Sequence, residues 1–131
     1  MKVYIASRFP DREKVRNVME LFRKNGHEIT VDWTKHKAFG DKGFVENEKV
    51  AEKYAIEDIE GVRNSDVFVL LTTADIGAGM HTELGVAILS NILFGKPRIF
   101  VVGEHLNNCL FYFHPVVERR KSVEEVLREI E

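Results

Sequence analysis

The spacing of apolar residues changes repeatedly along the chain, from short strand-like runs to helical stripes and back. Lys2-Val3-Tyr4-Ile5-Ala6 opens with such a run. It ends at Ser7-Arg8-Phe9-Pro10-Asp11, where a proline and an aspartate announce a helix. Val15, Val18, Met19 and Phe22 then fall at helical spacing, and Asn25-Gly26 supplies a left-handed stop. Ile29, Val31 and Trp33 alternate as in a second strand, before a polar loop rich in Lys, Gly and Asp through Gly43. A second helix, roughly Glu46 to Arg63, directs Ala51, Ala55, Ile59 and Val62 inward.

The run Asp66-Val67-Phe68-Val69-Leu70-Leu71 is continuously apolar, as a central parallel strand covered on both faces requires. A glycine-containing loop, Thr72 to His81, leads into a third helix with Leu84, Ala87, Ile88 and Ile92 on one side, closed by Gly95-Lys96-Pro97. Ile99-Phe100-Val101-Val102 reads as another buried strand, and Val116-Val117 as a short edge strand after an aromatic loop. Ser122-Val123-Glu124-Glu125 has capping-box spacing ahead of a short closing helix. Strict alternation of strand and helix predicts one α/β domain over residues 1–131. Its architecture should be a doubly wound parallel sheet of about five strands, in a flavodoxin-like or Rossmann-like order. Such sheets bind ligands beyond the carboxyl ends of the strands, where the order reverses. That directs attention to three loops, Ser7 to Asp11, Thr72 to Thr82, and Gly103 to Asn108.

Composition narrows the function classes. With 131 residues, 44% hydrophobic and 31% charged, the chain can bury a core and is neither disordered nor fibrous in type. A net charge of −2 provides no footprint for a nucleic-acid polymer or an anionic membrane, and leaves room for a small anionic ligand. Cys109 is the only cysteine, so no intrachain disulfide or multi-cysteine zinc site forms, and a reducing cytoplasm fits best. The chain enters a strand-like run at once, without the long apolar stretch of a signal peptide, and no later run could span a bilayer, so a soluble cytoplasmic protein is expected.

The densest chemistry lies between the third strand and the third helix, where Asp75, Gly77, Gly79, His81 and Glu83 fall within nine positions. Glu83, in the first turn of that helix, would be held ionised by the helix dipole. An ionised carboxylate can attack a sugar's anomeric carbon or face an oxocarbenium-like charge, although the dipole alone also favours an acidic residue there. Gly77 and Gly79 bring backbone amides close to a phosphate or sugar, or simply form a turn. Asp58 shares the stripe of Ala51, Ala55 and Val62, so it either contacts a ligand or caps backbone amides. The helix reading sets it nearer the far end than the carboxyl edge. Ser7 and Arg8, ahead of a helix N-terminus, suit a 5′-phosphate. Tyr4 either orients Glu83 or fills the core, and Trp33 either stacks on a ligand or does the same. His81 is an acid, a base or a polar loop residue, and with no second histidine at metal spacing no metal is expected.

Together these residues resemble the nucleoside 2-deoxyribosyltransferase-like superfamily, which includes 2′-deoxynucleoside 5′-phosphate N-hydrolases and related nucleotide N-glycosidases. The resemblance covers nearly the whole chain. It is carried by Val3-Tyr4-Ile5-Ala6-Ser7-Arg8, Asp58-Ile59 leading to Ser65-Asp66, Asp75-Ile76-Gly77-Ala78-Gly79, Glu83-Leu84-Gly85-Val86-Ala87 and Gly95-Lys96-Pro97. It implies Glu83 as the nucleophile, Tyr4 as the residue that positions it, Asp58 as an active-site aspartate and Asp75 as a contact to the leaving base. Ser7 and Arg8 resemble the phosphate-facing start of the nucleotide hydrolases. On this reading Asp75 or His81 protonates the departing base, and the glycine-loop amides help hold the phosphate. The substrate is a nucleoside or its 5′-monophosphate, and no cofactor is needed. The subunits are expected to form a homo-oligomer, with Phe111-Tyr112-Phe113 as a contact. The extra His81-Thr82 spacing before Glu83 departs from the transferases and favours cleavage over transfer. A nucleotide-sensing module on the same fold, binding without cleaving, is the rival.

Overall fold

A computed structural model describes residues 1–39 and 43–131. Five strands, β1 (Lys2–Ala6), β2 (Glu28–Ile29), β3 (Val67–Leu71), β4 (Arg98–Val102) and β5 (Val117–Arg120), form one parallel sheet in the order β2-β1-β3-β4-β5. Four α-helices accompany them: α1 (Arg12–Lys24), α2 (Glu48–Arg63), α3 (Ala78–Phe94) and α4 (Val123–Glu129). The order is the flavodoxin-like one expected from the sequence. Because the chain reverses direction after β2, right-handed crossovers put α1 on one face and α2 with α3 on the other. The latter two pack directly against each other. The reversal falls between β1 and β3, paired from Val3 with Val67 to Ala6 with Leu70, so a crevice opens past their carboxyl ends.

Burial follows the sequence pattern closely in the sheet. All five residues of β3 are buried, as are the last four of β1 and of β4. Val15, Met19 and Phe22 seat α1, which stops at Gly26 with φ of 85°. Ser122 caps α4 through a reciprocal capping box with Glu125.

Four expectations are corrected. The second strand stops at Ile29, because the Asp32 carboxylate accepts from the Thr34 N–H at 3.2 Å and turns the chain into a short 3-10 helix, Trp33–Lys35. Trp33 therefore stands in a turn, where its indole N–H donates to the Ile5 carbonyl at 2.6 Å. The glycine loop is shorter than expected, since α3 begins at Ala78. Ile92 is 57% exposed, and with Leu89, Leu93 and Phe94 it lies on the open side of the carboxyl-terminal half of α3. Ala55, expected inside, is exposed on α2.

One glycine sets how closely α2 approaches the sheet. A Cβ on Gly61 would stand 2.5 Å from Val31 Cγ2 and 3.1 Å from the Tyr4 ring. In a free helix Gly to Ala gains about 1 kcal/mol. Gly61→Ala is expected instead to lower unfolding stability by about 1–3 kcal/mol, the usual penalty of overpacking. Urea denaturation measures this, and a stabilised variant would show that the helix is free to shift.

Candidate active site

Tyr4, in the middle of β1, is fully buried with its ring stacked on Phe68 at 5.9 Å. A buried phenol needs a partner for its hydroxyl, and Tyr4 donates to Glu83 Oε2. Glu83 reaches it from the second turn of α3, and Asp58 approaches from α2. Glu83 and Asp58 line one cavity of about 790 Å³ beyond the carboxyl ends of β1 and β3, a size usual for a small-molecule site.

The electrostatics differ from the expectation. Burial pushes the Glu83 carboxyl up to about 8; the Tyr4 hydrogen bond pulls it down and the nearby Asp58 pushes it further up. The first-turn dipole cannot hold it ionised, because α3 starts five residues before it and the side chain leaves water. Asp58 is raised to about 7, again by burial first and then by Glu57. Its Oδ1 is buried and accepts no hydrogen bond among the described residues. Tyr4 is held protonated by burial and by both carboxyl groups. The cavity thus holds two carboxyl groups that burial makes harder to ionise, with Asp58 opposing the charge on Glu83.

Ser7, Arg8, Gly77 and Gly79 also line the cavity. Ser7 Oγ donates to the Leu71 carbonyl at 3.3 Å, which ties the ends of β1 and β3 together. Arg8 lies 3.3 Å from Asp75 through Nη1 and 4.0 Å from Asp11 through Nε. Gly77 precedes α3, and a Cβ there would meet Arg8 Cγ at 2.7 Å, so glycine is what lets the arginine pass. Gly79 faces open space and meets no such constraint.

Two sequence-selected residues stand apart from the pair of carboxyl groups. Asp75 is 87% exposed on the rim, where it holds Arg8. His81 points away from the cavity and stacks on Tyr112 at 5.5 Å. Its Nδ1 lies 2.8 Å from the Gly77 carbonyl, which can only accept, so Nδ1 carries a hydrogen, and Nε2 lies 2.9 Å from the Tyr112 hydroxyl. The loop Gly103 to Asn108 is tied to Thr72 and Thr73 and stops short of the cavity wall.

The opposite wall was not read from the sequence as part of a site. His36 and Tyr54 stack at 3.8 Å with planes 2° apart, Phe39 lies 6.0 Å beyond Tyr54, and Phe44 meets Phe39 edge-on. Ala51 and Ala55 line the cavity beside them. The signal was present on α2: two alanines on a supposed core stripe fill little space, and Tyr54 precedes Asp58 by one helical turn. Gly40, Asp41 and Lys42, within the expected polar loop, lie outside the described residues. No group of three metal-ligating side chains occurs among the described residues.

Fold and site together define a flavodoxin-like α/β protein with a paired-carboxyl cleft at its switch point. Its architecture is similar to that of the Clostridium botulinum CMP N-glycosidase BcmB, with a TM-score of 0.64 at 12% identity, covering 99% of this chain and 98% of that one. That likeness shows the fold, and it is the fold implied by the resemblance to the nucleoside 2-deoxyribosyltransferase-like superfamily. No family model and no curated protein sequence matches the chain.

The raised carboxyl groups have a consequence for stability. A carboxyl whose folded pKa exceeds its unfolded value favours folding fully below the unfolded value, and that stability is lost as pH rises through the folded one. For Glu83 the window runs from the ordinary 4.5 to about 8, and for Asp58 from 3.8 to about 7. Unfolding free energy should therefore decline between those limits, and less steeply in Glu83→Gln. Equal slopes in urea melts across this range would place Glu83 in water.

Proposed function

We propose that this protein is an enzyme that cleaves the N-glycosidic bond of a nucleoside 5′-monophosphate through Glu83. The observation that carries this reading is the Glu83 carboxyl, bonded to a buried tyrosine and facing a nucleotide-sized cavity that also holds Asp58. The fold shared with a CMP N-glycosidase agrees with it. Arg8 and the free amides at the start of α3 receive the phosphate, and the Tyr54 and Phe39 wall stacks on the base.

In the reactive form Glu83 is ionised and Asp58 protonated. Glu83 Oε attacks C1′ and the C1′–N bond breaks, with its electron pair staying on the base. The Asp58 proton goes to that base, a role that neither Asp75 on the rim nor the engaged His81 is placed to fill. Tyr4 keeps its proton and holds the attacking group in line. Water then adds to C1′, gives its proton to Asp58 and releases Glu83. Burial raises the proton affinity of both carboxyl groups, so it is the positive charge developing on the sugar that favours ionised Glu83 beside protonated Asp58. The macroscopic steps belong to the pair.

A panel of nucleosides and 5′-monophosphates, monitored for free base, tests the reading. Glu83→Gln is expected to fold and to lose about a thousandfold or more in turnover. A nucleotide-sensing module would instead bind equally in both forms and turn over in neither. Arg8→Ala separates phosphorylated from free substrates. Each charge-assisted hydrogen bond to phosphate contributes about 1.5–3 kcal/mol. The ratio of kcat/KM on a monophosphate to that on its nucleoside should accordingly fall by about tenfold or more. An unchanged ratio would make the free nucleoside the better candidate.

A further inference from the structure

Among the described residues of the aromatic wall, His36 turns a ring nitrogen toward the carboxyl groups of α2. Its backbone leaves the 3-10 helix Trp33–Lys35, the next N–H donates to the Tyr54 hydroxyl at 2.8 Å, and the ring stacks flat on Tyr54. The imidazole is thus clamped at its backbone and at its face, with the side chain 14% exposed. Nε2 stands 3.6 Å from Glu57 Oε2 and 3.9 Å from Asp58 Oδ1, the buried oxygen that accepts no hydrogen bond. Burial keeps the ring largely neutral; Glu57 and Asp32 pull its pKa up and Lys53 pushes it down. A neutral ring with its hydrogen on Nε2 can donate to only one of the two carboxylates at a time, and it sits between them.

We propose that His36 is a positioning residue for Asp58, donating from Nε2 to Asp58 Oδ1 as that carboxyl passes its proton to the departing base. This rests on the cleavage reading above and on Asp58 as its acid. Asp58 Oδ1 is buried and has no hydrogen-bond partner among the described residues, so it is open to a donor. After the proton leaves, Oδ1 is a buried carboxylate oxygen, and such an oxygen without a donor is strongly disfavoured. Closing the present 3.9 Å gap to hydrogen-bond distance supplies that donor from a ring already held in place. No proton moves through the ring, so the balance of the cleavage step is unchanged.

The test uses His36→Phe, which keeps the stack on Tyr54 and removes the donor, and His36→Gln, which restores an N–H. Substrates are the nucleoside 5′-monophosphate of that panel which the wild type cleaves best and the 4-nitrophenyl glycoside of the same sugar phosphate, whose phenoxide departs without a proton. His36→Phe should lower kcat/KM on the nucleotide by about tenfold or more, with the nitrophenyl substrate changed by less than about twofold, and His36→Gln should recover most of the loss. In parallel, the Asp58 carboxyl resonance followed by NMR should titrate at higher pH in His36→Phe than in the wild type, because its ionised form has lost a donor. In the wild type alone, the His36 ring nitrogens should respond at the Asp58 midpoint, a measurement that needs no variant. Equal losses on both substrates, unchanged kinetics or independent midpoints would overturn the proposal. A wild type that releases neither base nor nitrophenol would instead overturn the cleavage reading, and this inference with it.

Discussion

The hydrogen bond from Tyr4 to Glu83 is the constraint around which the rest of the structure is arranged. A phenol at the centre of the sheet and a carboxyl on the covering helix are each expensive to bury alone, by about 1–3 kcal/mol for an unsatisfied group and more for a charge. Joined, they satisfy each other and leave the second carboxyl oxygen for the cavity. The neighbouring choices follow. Phe68 supports the ring from the adjacent strand, and Gly61 lets α2 come close enough to cover it. Burial then raises the affinity of Glu83 for a proton, which ties its charge to that of Asp58. The tyrosine therefore fills the core and holds the Glu83 carboxyl through one side chain.

The rim is built on a different principle. Arg8 is held by Asp75 and Asp11, but the pair with Asp75 is open to water, where such bridges contribute little, about 0–1 kcal/mol. A guanidinium tied that weakly can exchange a carboxylate for a more highly charged phosphate. Strength is concentrated in the floor of the cleft and exchangeability at its mouth.

The sheet was legible in the sequence because strand burial leaves a run of apolar residues that turn chemistry does not disturb, as in Val67–Leu71. Strand order followed from alternation and handedness. Tyr4, Asp58 and Glu83 could be picked out as chemical groups, and Asp58 stood out as a charge on an apolar stripe. Local competition was less legible. The Asp32 side chain ended a strand that Val31 and Trp33 would have continued, and α3 wound up earlier than its glycines suggested. The protonation of Glu83 could not be read at all, since it depends on burial by residues distant in the chain. The aromatic wall was missed for a related reason: His36, Phe39 and Tyr54 acquire meaning only when α2 folds back over the turn after β2.

The two alanines on α2 give the cavity much of its room by what they lack. Neither Ala51 nor Ala55 belongs to the hydrogen-bonded floor, so the volume offered to a ligand can change by single side chains while Glu83, Tyr4 and Asp58 stay as they are. A methylene more or less in such a pocket discriminates between ligands by about 1–3 kcal/mol. On the proposed reading, selectivity is set from one face of α2 and reactivity by groups of β1, α2 and α3, so a change in the first need not erode the second.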